Sequence, residues 1–296
     1  MEELVYLNGT MVPRSKALIS VFDHAFLYGY GLYESMRAYH GKPFLLERHI
    51  KRLAESADAL MLGKKLEGTD FNKACLETLA ANGLESARIR ITVSNGASDA
   101  APWTSVTDIK PNVVVTTRPY MPFPEEKYES GFHIGIASTI RRCRQSTIVT
   151  MKTVNHLDSV LARMEAAAKG LDETLMLNDD GFIAEGGGCN VFFVREGRLM
   201  TPALNSGILP GVTRNLVMEL AAGLGMETSQ GPVGIGVTRK CDEAFVTNAI
   251  IEIMPVTKIS DMKGNTVSIG TGEPGQITKQ LMEAYSKMVE KETASK

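Results

Sequence analysis

The spacing of apolar residues predicts two helices and several short strands in the first part of this chain. Over residues 46–61, apolar side chains recur every three or four positions, which is typical of a helix with one buried face. A second helix is predicted over 71–81, because the Asn82-Gly83 pair that follows commonly ends helices. The predicted strands alternate or are rich in β-branched residues, and they cover 4–12 with a turn at Asn8-Gly9, 32–39, 43–46, 88–93 and 113–117.

Strands and helices alternate in the second part of the chain. Two turns, Asp179-Asp180-Gly181 and Glu196-Gly197, each separate a pair of apolar segments, as in β-hairpins. The predicted helices have apolar residues at helical spacing, and they cover 156–169 with Asn155 as the cap, 214–224 and 276–290. Alternation of this kind is typical of mixed α/β proteins.

A change of composition marks a predicted domain boundary. Residues 120–131 are polar and rich in proline, which is typical of a connector between domains. The length of 296 residues also exceeds the usual size of one domain. We therefore expect a fold of the α/β (α+β) class, with a small N-terminal domain over 1–119 and a larger C-terminal domain over 132–296.

The composition excludes several classes of function. The net charge is −2 and no stripe of basic residues is present, so we expect no nucleic-acid partner. No apolar run reaches the roughly 18 residues of a membrane span, and the first residues lack the apolar core of a secretory signal. The four cysteines form no CxxC pair and share no ligand spacing with the five histidines. We expect a cytoplasmic protein with reduced thiols, no membrane partner and no metal ion.

Lys152 is a candidate nucleophile. It lies within residues 146–154 (Ser-Thr-Ile-Val-Thr-Met-Lys-Thr-Val), the least charged surroundings of any lysine in the chain. A desolvated lysine loses proton affinity and can attack an aldehyde, which is the chemistry of a Schiff-base lysine. The alternative is a lysine on an edge strand whose amine reaches solvent.

Residues 209–214 (Leu-Pro-Gly-Val-Thr-Arg) form a candidate phosphate site, because they lead directly into a predicted helix. A glycine turn with a threonine at a helix start directs several backbone N–H groups to one point, where the helix dipole favours an anion. The alternative is that Thr213 only caps the helix.

Residues 185–190 (Glu-Gly-Gly-Gly-Cys-Asn) lie between two apolar strands. Three consecutive glycines let the backbone approach a flat ligand closely. Glu185, at the head of the run, could pair with the nitrogen of a pyridine ring and keep it protonated, so that the ring withdraws electrons. The alternative is a flexible hairpin loop with a solvated glutamate.

The strand predicted over 32–39 carries a candidate carboxylate site. Alternation places Tyr33, Ser35 and Arg37 on one face of the strand. A guanidinium beside phenols suits the recognition of a carboxylate. The alternative is an exposed aromatic strand with a surface arginine.

The order and spacing of these motifs resemble the fold-type IV pyridoxal-phosphate (PLP) enzymes, a family of branched-chain aminotransferases, D-amino-acid aminotransferases and aminodeoxychorismate lyases. The resemblance extends from Tyr-Leu-Asn-Gly at 6–9 to Pro-Gly-Gln-Ile-Thr-Lys at 274–279. It implies a small N-terminal α/β lobe, a larger C-terminal pseudo-barrel lobe, PLP as the cofactor, and a homodimer or a larger even assembly. It also implies that the segment 28–37 or the loop 97–108 with Trp103 enters the neighbouring subunit's site.

The resemblance assigns roles to particular residues. Lys152 would hold PLP and move a proton to and from the substrate α-carbon. Glu185 would pair with the ring nitrogen, and Arg52 would bind the phosphate. The other implied cofactor contacts are His156, Asn190, Val212, Thr213, Asn248 and Ala249. The implied substrate contacts are Tyr28, Tyr33, Arg37, Arg90, and the backbone N–H groups of Ala249 and Ile250.

Several positions bear on the choice of reaction within the family. Arg37 and Arg90 stand where the L-branched-chain enzymes keep arginines near the carboxylate pocket, and the Arg-x-His pair of the D-amino-acid branch is missing over 94–99. Against this, Ser35 replaces a glycine of the branched-chain enzymes, and Ala249 replaces a threonine common in the phosphate turn.

The sequence therefore favours a transaminase that moves an amino group between a branched-chain or apolar L-amino acid and 2-oxoglutarate by a ping-pong mechanism. Its partners would be small amino acids and 2-keto acids. Two alternatives stay open, a 4-amino-4-deoxychorismate lyase and a transaminase for D-amino acids or (R)-amines, because residues 155–163 resemble the lyases as closely.

Overall fold

The structure, a computed structural model, describes residues 2–103 and 109–294, with the backbone alone for 139–141. Contacts between Cα atoms group the chain into two units. Unit 1 contains Met1–Met121, Met151–Asn155 and Val289–Lys296. Unit 2 contains Pro122–Thr150 and His156–Met288. Lys152 thus groups with the N-terminal part of the chain, and the domain boundaries expected from the sequence stay a prediction.

Unit 1 is built on an antiparallel sheet. Its strands are β1 (Leu4–Leu7), β2 (Thr10–Pro13), β3 (Gly31–Tyr39), β4 (Lys42–Pro43), β5 (Ala87–Ser94) and β6 (Asn112–Pro119). They lie in the order β2-β1-β6-β5-β3-β4, and neighbouring strands are antiparallel. Its helices are α1 (His24–Tyr28), α2 (Leu46–Ala59) and α3 (Phe71–Ala81).

The core of unit 1 lies between the sheet and the helices α2 and α3. Met36 of β3 and Leu53 of α2, for example, are almost completely buried in it. Helix α2 confirms the predicted helix, but its buried face includes polar residues besides the apolar ones from which it was predicted. The polar residues His49, Arg52 and Ser56 are buried on it as well. Buried polar groups need hydrogen-bond partners, so this face carries more than packing.

The turns of unit 1 follow the predicted residues. Asn8 and Gly9 join β1 and β2 with φ of 50° and 91°, a backbone conformation that asparagine and glycine tolerate. The strand predicted over 43–46 is shorter than expected, since β4 ends at Pro43. Leu45 has a φ of 54°, which turns the chain directly into α2.

The segment that carries Lys152 runs alongside β3. The N–H of Tyr33 donates to the carbonyl oxygen of Lys152 at 2.9 Å, and the N–H of Val154 donates to that of Gly31 at 3.0 Å. An antiparallel bridge joins Leu32 and Thr153 between these two bonds. The backbone of Lys152 is therefore fixed to the start of β3.

Unit 2 is built on a mixed sheet. Its strands are β7 (Phe132–Arg142), β8 (Glu173–Asn178), β9 (Ile183–Gly186), β10 (Asn190–Arg195), β11 (Arg198–Pro202), β12 (Thr228–Gly231), β13 (Glu243–Asn248), β14 (Glu252–Ser260) and β15 (Thr266–Ser268). The order is β12-β11-β10-β13-β14-β7-β8-β9, and β15 pairs with β14. A bridge between Ile183 of β9 and Val233, which follows β12, brings the two ends of this sheet together, as the expected pseudo-barrel requires.

The helices in the second part of the chain begin within two residues of the predicted positions, apart from α4, which was not predicted. They are α4 (Glu125–Ser130), α5 (Leu157–Ala168) and α6 (Val212–Gly223), and α7 (Gln276–Thr293) follows at the C-terminus. Helix α4 lies within the predicted connector. The predicted cap of α5 is wrong, because His156 occupies the N-cap position and the Asn155 side chain accepts a hydrogen bond from Thr153 instead.

No helix in the described part of the chain has both the length and the apolar composition needed to cross a membrane.

Candidate functional site

The Lys152 side chain lies against an aromatic ring in unit 1. It is half-buried, and its Nζ lies 4.5 Å from the centroid of the Tyr33 ring. A protonated amine at this distance is stabilised by the π face of the ring. Because the backbone of Lys152 is also bonded to Tyr33, the position of the amine is set by β3. This differs from an edge-strand lysine that extends freely into solvent.

Arg90 stacks on the same tyrosine ring. Strand β5 places Thr92 opposite Tyr33 and Arg90 opposite Ser35. The Arg90 Cζ lies 4.0 Å from the centroid of the Tyr33 ring, and its Nε donates to Thr92 Oγ1 at 3.1 Å. Burial lowers the pKa of Arg90 below its ordinary value, with Tyr33 opposing this shift. Tyr33 therefore joins Lys152 and Arg90, two of the predicted site residues.

Arg37 and Tyr28 have different surroundings. The Arg37 Cζ lies 3.7 Å from the ring centroid of Tyr120 and 4.2 Å from that of Tyr39, so two tyrosines hold this guanidinium. Tyr28 ends α1, is about half exposed and meets Trp103 edge to face, with ring centroids 5.8 Å apart. Residues 104–108 of the predicted subunit-entering loop lie outside the described residues.

Arg52 binds both oxygens of one buried carboxylate through one edge of its guanidinium. Its Nε donates to Glu34 Oε1 and its Nη2 to Glu34 Oε2, each at 2.7 Å. His49, one helical turn earlier on α2, places Nδ1 2.8 Å from Glu34 Oε2. This bidentate pairing fixes the orientation of Arg52.

The protonation states of this cluster follow from its burial. Burial by itself would raise the pKa of Glu34, but Arg52 and His49 outweigh it and hold the pKa at about 2. Burial lowers the pKa of His49 below its ordinary value, and the nearby cations Arg52 and Lys152 act in the same direction against Glu34. His49 is therefore neutral at pH 7 and donates its Nδ1–H to Glu34, which is charged at that pH.

Glu185 is the buried carboxylate of unit 2. Its Oε1 accepts a hydrogen bond from Arg142 Nη2 at 2.5 Å. Its Oε2 accepts from the backbone N–H of Leu209 at 3.0 Å and from Asn190 Nδ2 at 3.4 Å. The side chain is 5% exposed. These donors stabilise the anionic form of the carboxylate, so the alternative of a solvated loop glutamate is wrong.

The glycine run next to Glu185 packs against side chains of unit 2. A Cβ on Gly186 would collide with the Cys189 sulfur, and one on Gly187 would collide with the Arg163 side chain. The run is thus packed rather than flexible. Gly187 also donates its N–H to the carbonyl oxygen of Thr174 at 3.2 Å. Glycine is required here by close packing, which the predicted approach to a flat ligand did not anticipate.

The N-terminus of α6 lies next to this group. Gly211 is the N-cap residue, and a Cβ there would collide with the amide oxygen of Asn190. Val212 and Thr213 are buried in the first turn, where helix N–H groups have no partner within the helix. The alternative of Thr213 as the N-cap is wrong, because α6 begins at Val212. An anion would meet unpaired N–H groups and the positive end of the helix dipole here.

The turn after β13 is tied to the glycine run. Asn248 Nδ2 donates to the carbonyl oxygen of Gly188 at 2.9 Å. Asn248 Oδ1 accepts the backbone N–H groups of Ile250 at 2.8 Å and Ile251 at 2.9 Å. The predicted ligand contact through the N–H of Ile250 therefore competes with an internal hydrogen bond. Thr247 Oγ1 is buried and has no hydrogen-bond partner among the residues that the structure describes.

Unit 2 thus brings together most of the predicted cofactor residues. Asn190 links them, because it contacts Glu185, donates to the carbonyl oxygen of Leu209 at 3.0 Å and lies opposite Thr247 in the β10–β13 ladder. His156 occupies the N-cap position of α5.

Sequence reasoning missed four charged or imidazole residues of these clusters, which are Glu34, His49, Arg142 and Asp158. His49 had a signal, since it lies three residues before Arg52, on the same face of α2. Arg142 had none, because its partner Glu185 is 43 residues away in the sequence.

Comparisons with known proteins identify the family. The family model described as amino-transferase class IV matches residues 31–259. A Methanocaldococcus jannaschii protein, itself only provisionally named a branched-chain-amino-acid aminotransferase, is 36% identical and covers 95% of this chain and 94% of its own length. An aminodeoxychorismate lyase of Bacillus subtilis is 33% identical, with 97% and 94% covered.

A solved structure gives the same result for the fold. The branched-chain aminotransferase of the thermophilic archaeon Thermoproteus uzoniensis with norvaline is 30% identical, with a TM-score of 0.84 over 98% of this chain and 95% of that one. The mixed α/β fold expected from the motifs is therefore confirmed. The chain belongs to the class IV aminotransferases, the PLP-dependent family that its motifs resemble.

Proposed function

We propose that this enzyme binds PLP and transfers an amino group between a branched-chain or apolar L-amino acid and 2-oxoglutarate in two half-reactions at one site. The observation that carries the proposal is the arrangement in unit 1, where the Lys152 amine and the Arg90 guanidinium contact the same Tyr33 ring. A nucleophilic amine beside a carboxylate-binding cation suits an α-amino acid or a 2-keto acid as substrate.

The donor set fits PLP in its charge and shape. A phosphate needs N–H donors and a positive field, and the first turn of α6 after Gly211 supplies both. A protonated ring nitrogen needs a buried carboxylate, and Glu185 is one. The unpartnered hydroxyl of Thr247 adds a donor beside the Asn248 turn. These observations support PLP as the ligand of this chain.

When bound, PLP supplies an aldehyde that accepts the amino group and a ring that withdraws electrons from the substrate α-carbon. Lys152 would then have two tasks, since its amine would hold the cofactor covalently and, once released, would move the proton at the substrate α-carbon. Glu185 holds the proton on the ring nitrogen. Val212 and Thr213 bind the phosphate through their N–H groups, and Arg52 adds a charge that Glu34 orients.

The other proposed contacts are less strongly supported by the geometry. Asn190 positions Glu185 and Leu209, so it acts on the cofactor through them. Asn248 is occupied by its own turn, which leaves Ala249 as the residue through which that turn would meet the phosphate or the substrate. His156 is proposed from the family resemblance alone.

Substrate selection would rest on the face of β3 and β5 that carries Tyr33, Arg37 and Arg90. Arg90 and Tyr33 would bind a carboxylate near Lys152, and Arg37, held between two tyrosines, would bind the second carboxylate of 2-oxoglutarate. Ser35 lies opposite Arg90 on this face and narrows it in comparison with glycine. Tyr28 lies against Trp103 and is proposed to act from a neighbouring subunit.

The second candidate function is 4-amino-4-deoxychorismate lyase. The observation that favours it is the 33% identity to the Bacillus subtilis lyase over 97% of this chain, against 29% to the branched-chain-amino-acid aminotransferase of Escherichia coli. A transaminase for D-amino acids or (R)-amines is the third candidate, and no relative named above is of that kind.

One absorbance experiment separates these functions. We expect L-leucine, L-isoleucine or L-valine alone to change the spectrum of the bound cofactor within one turnover, and 2-oxoglutarate to restore it. Release of pyruvate from aminodeoxychorismate without a response to amino acids would instead identify the lyase. A response to D-alanine and to no branched-chain L-amino acid would identify the D-specific enzyme.

We also propose a homodimer. Large apolar side chains are exposed on unit 1 around α1, at Leu18, Val21, Phe22, Phe26, Tyr28 and Trp103. Exposed apolar surface of this kind commonly marks an interface. Light scattering should give the mass of a dimer, and Phe26→Asp should reduce it to that of a monomer. An active wild-type monomer would contradict the proposal.

The cellular compartment proposed for the enzyme is the cytoplasm. All four cysteines are free thiols and Cys143 is exposed, which suits a reducing environment.

A further inference from the structure

Three charged side chains form a continuous chain of contacts in unit 2. Arg142 donates from Nη2 to Glu185 Oε1 at 2.5 Å and from Nη1 to Asp158 Oδ2 at 2.7 Å. The side chains of Arg142 and Glu185 are 14% and 5% exposed, whereas that of Asp158 is 36% exposed. One arginine is therefore shared between a buried and a partly exposed carboxylate.

The charges of Arg142 and Asp158 have opposite effects on the attraction between Glu185 and a further cation. The arginine charge neutralises part of the Glu185 charge and so weakens its attraction for a second cation. The Asp158 charge offsets the arginine and restores part of that attraction. Burial would lower the pKa of Arg142, but Glu185 and Asp158 outweigh it and raise the pKa above its ordinary value. The positive charge is therefore present throughout the working pH range.

Two further ionisable groups, Cys189 and Glu173, lie near this cluster. Burial and the nearby Glu173 raise the pKa of the Cys189 thiol well above its ordinary value, so it stays neutral. Burial also raises the pKa of Glu173, and Arg163, whose Nε lies 3.5 Å from Glu173 Oε2, opposes this shift. The donors on β10 and at Leu209 are uncharged amides. Arg142 and Asp158 are charged groups of the described chain through which the Glu185 charge can be adjusted.

We propose that Arg142 and Asp158 are positioning residues that set how strongly Glu185 holds a proton on the ring nitrogen of the cofactor. This inference rests on the proposed function, in which Glu185 pairs with that nitrogen. Loss of the Asp158 charge leaves the Arg142 charge to act on Glu185 alone, which lowers the proton affinity of the ring nitrogen. Loss of the Arg142 charge raises that affinity. A merely structural role would not shift the proton affinity in opposite directions.

The test is ¹⁵N NMR of the holoenzyme loaded with PLP labelled at the ring nitrogen. The chemical shift of that nitrogen is followed against pH, and its midpoint reports the proton affinity without turnover. We expect Asp158→Asn to lower the proton affinity and Arg142→Gln to raise it, each by about tenfold, which is one pH unit. Arg142→Lys keeps the charge and should stay near the wild-type midpoint.

A matched control is Asp180→Asn, which breaks the exposed pair of Asp180 with Arg144, whose Nε lies 2.6 Å away, in the same unit. Its midpoint should equal that of the wild type. Thermal unfolding of each variant verifies that it folds. If Arg142→Gln does not fold, the inference is tested by Asp158→Asn, which should shift, against Arg142→Lys, which should not.

The outcomes separate this inference from the proposed function. Equal midpoints in all Arg142 and Asp158 variants, or shifts in one common direction, would overturn the inference. The proposed function survives that result if Glu185→Gln still lowers the midpoint. A wild-type protein that takes up no PLP, or a Glu185→Gln variant with an unchanged midpoint, would overturn the proposed function itself.

Discussion

Each unit buries a glutamate against an arginine, and the two clusters differ in how the arginine is used. In unit 1, Arg52 directs two hydrogen bonds to Glu34, and His49 adds a third contact. In unit 2, Arg142 divides its contacts between Glu185 and the partly exposed Asp158. The side chains of Glu34 and Glu185 are 1% and 5% exposed. The two carboxylates are therefore buried to nearly the same extent. The clusters differ in whether the arginine binds one carboxylate or two.

The difference indicates two separate tasks. A carboxylate bound on both oxygens by one guanidinium is fixed in place, so Glu34 serves to orient Arg52 and to satisfy the polar groups of a buried helix face. Glu185 shares its arginine and takes its other hydrogen bonds from amides, so its charge can still act on a further cation. We expect variants of the first cluster to affect mainly stability, and variants of the second mainly chemistry.

The largest expected effect is the loss of stability in Glu34→Gln. This change leaves the charge of Arg52 buried without its partner, which costs roughly 3–5 kcal/mol of unfolding free energy. Urea unfolding measures the effect. Glu196→Gln, which breaks a surface pair of Glu196 and Arg195 at 3.2 Å, is the control and should change the free energy by about 1 kcal/mol or less. Equal losses of unfolding free energy in the two variants would show that the buried pair contributes no more to stability than the surface pair.

Acid should weaken the fold through the same carboxylate. The pKa of Glu34 is about 2 in the folded protein against an ordinary value of 4.5. A lowered pKa stabilises the fold above pH 4.5, and this stability is lost as the pH falls from about 4.5 towards 2. The contribution is about 3 kcal/mol. The free energy of unfolding, followed through this pH range, should fall less steeply in Glu34→Gln than in the wild type. Parallel curves would argue against Glu34 as the titrating group.

The chemistry of the second cluster is tested by Glu185→Gln. We expect this variant to keep PLP and to unfold at nearly the wild-type denaturant concentration, because Arg142 keeps Asp158 as a charged partner. Removal of the substrate α-proton should slow by about a hundredfold, since an amide holds the ring proton poorly. Single-turnover absorbance with L-leucine measures this step. A wild-type rate would mean that another acid holds the ring nitrogen.

A smaller effect is expected at the carboxylate site of unit 1. Arg90→Ala removes the guanidinium that stacks on Tyr33, and a charge-assisted hydrogen bond contributes about 1.5–3 kcal/mol. The KM for both the amino acid and the keto acid should rise by about tenfold or more. Arg37→Ala should raise the KM for 2-oxoglutarate and leave that for an apolar keto acid nearly unchanged. If Arg37→Ala raised the KM for every substrate and Arg90→Ala raised only that for 2-oxoglutarate, the roles of the two arginines would be exchanged.

Local features of the fold could be predicted from the sequence. The turns at Asn8-Gly9 and Glu196-Gly197 each contain a glycine, which tolerates positive φ, so the local sequence suffices to find them. The helices over 71–81 and 276–290 also follow from local spacing. Helix α6 begins two residues before the predicted start at 214, where Gly211 rather than a polar residue is the N-cap.

The clusters could be predicted only in part, because tertiary contacts decide them. Glu185 and Arg52 were found through their motifs, whereas the arginine that binds Glu185 lies on β7, far away in the sequence. The role of Asn248 in capping its own turn also depends on the backbone path after β13. Spacing in the sequence carries no information on such pairings.

The central claim is that Lys152 forms the covalent bond to PLP, and one measurement tests it most directly. The holoenzyme is reduced with borohydride, digested and analysed by mass spectrometry for the peptide that carries the cofactor. The account predicts that the label lies on Lys152 and that Lys152→Ala retains no covalent label. A label on any other lysine, or an unlabelled wild-type protein, would contradict it.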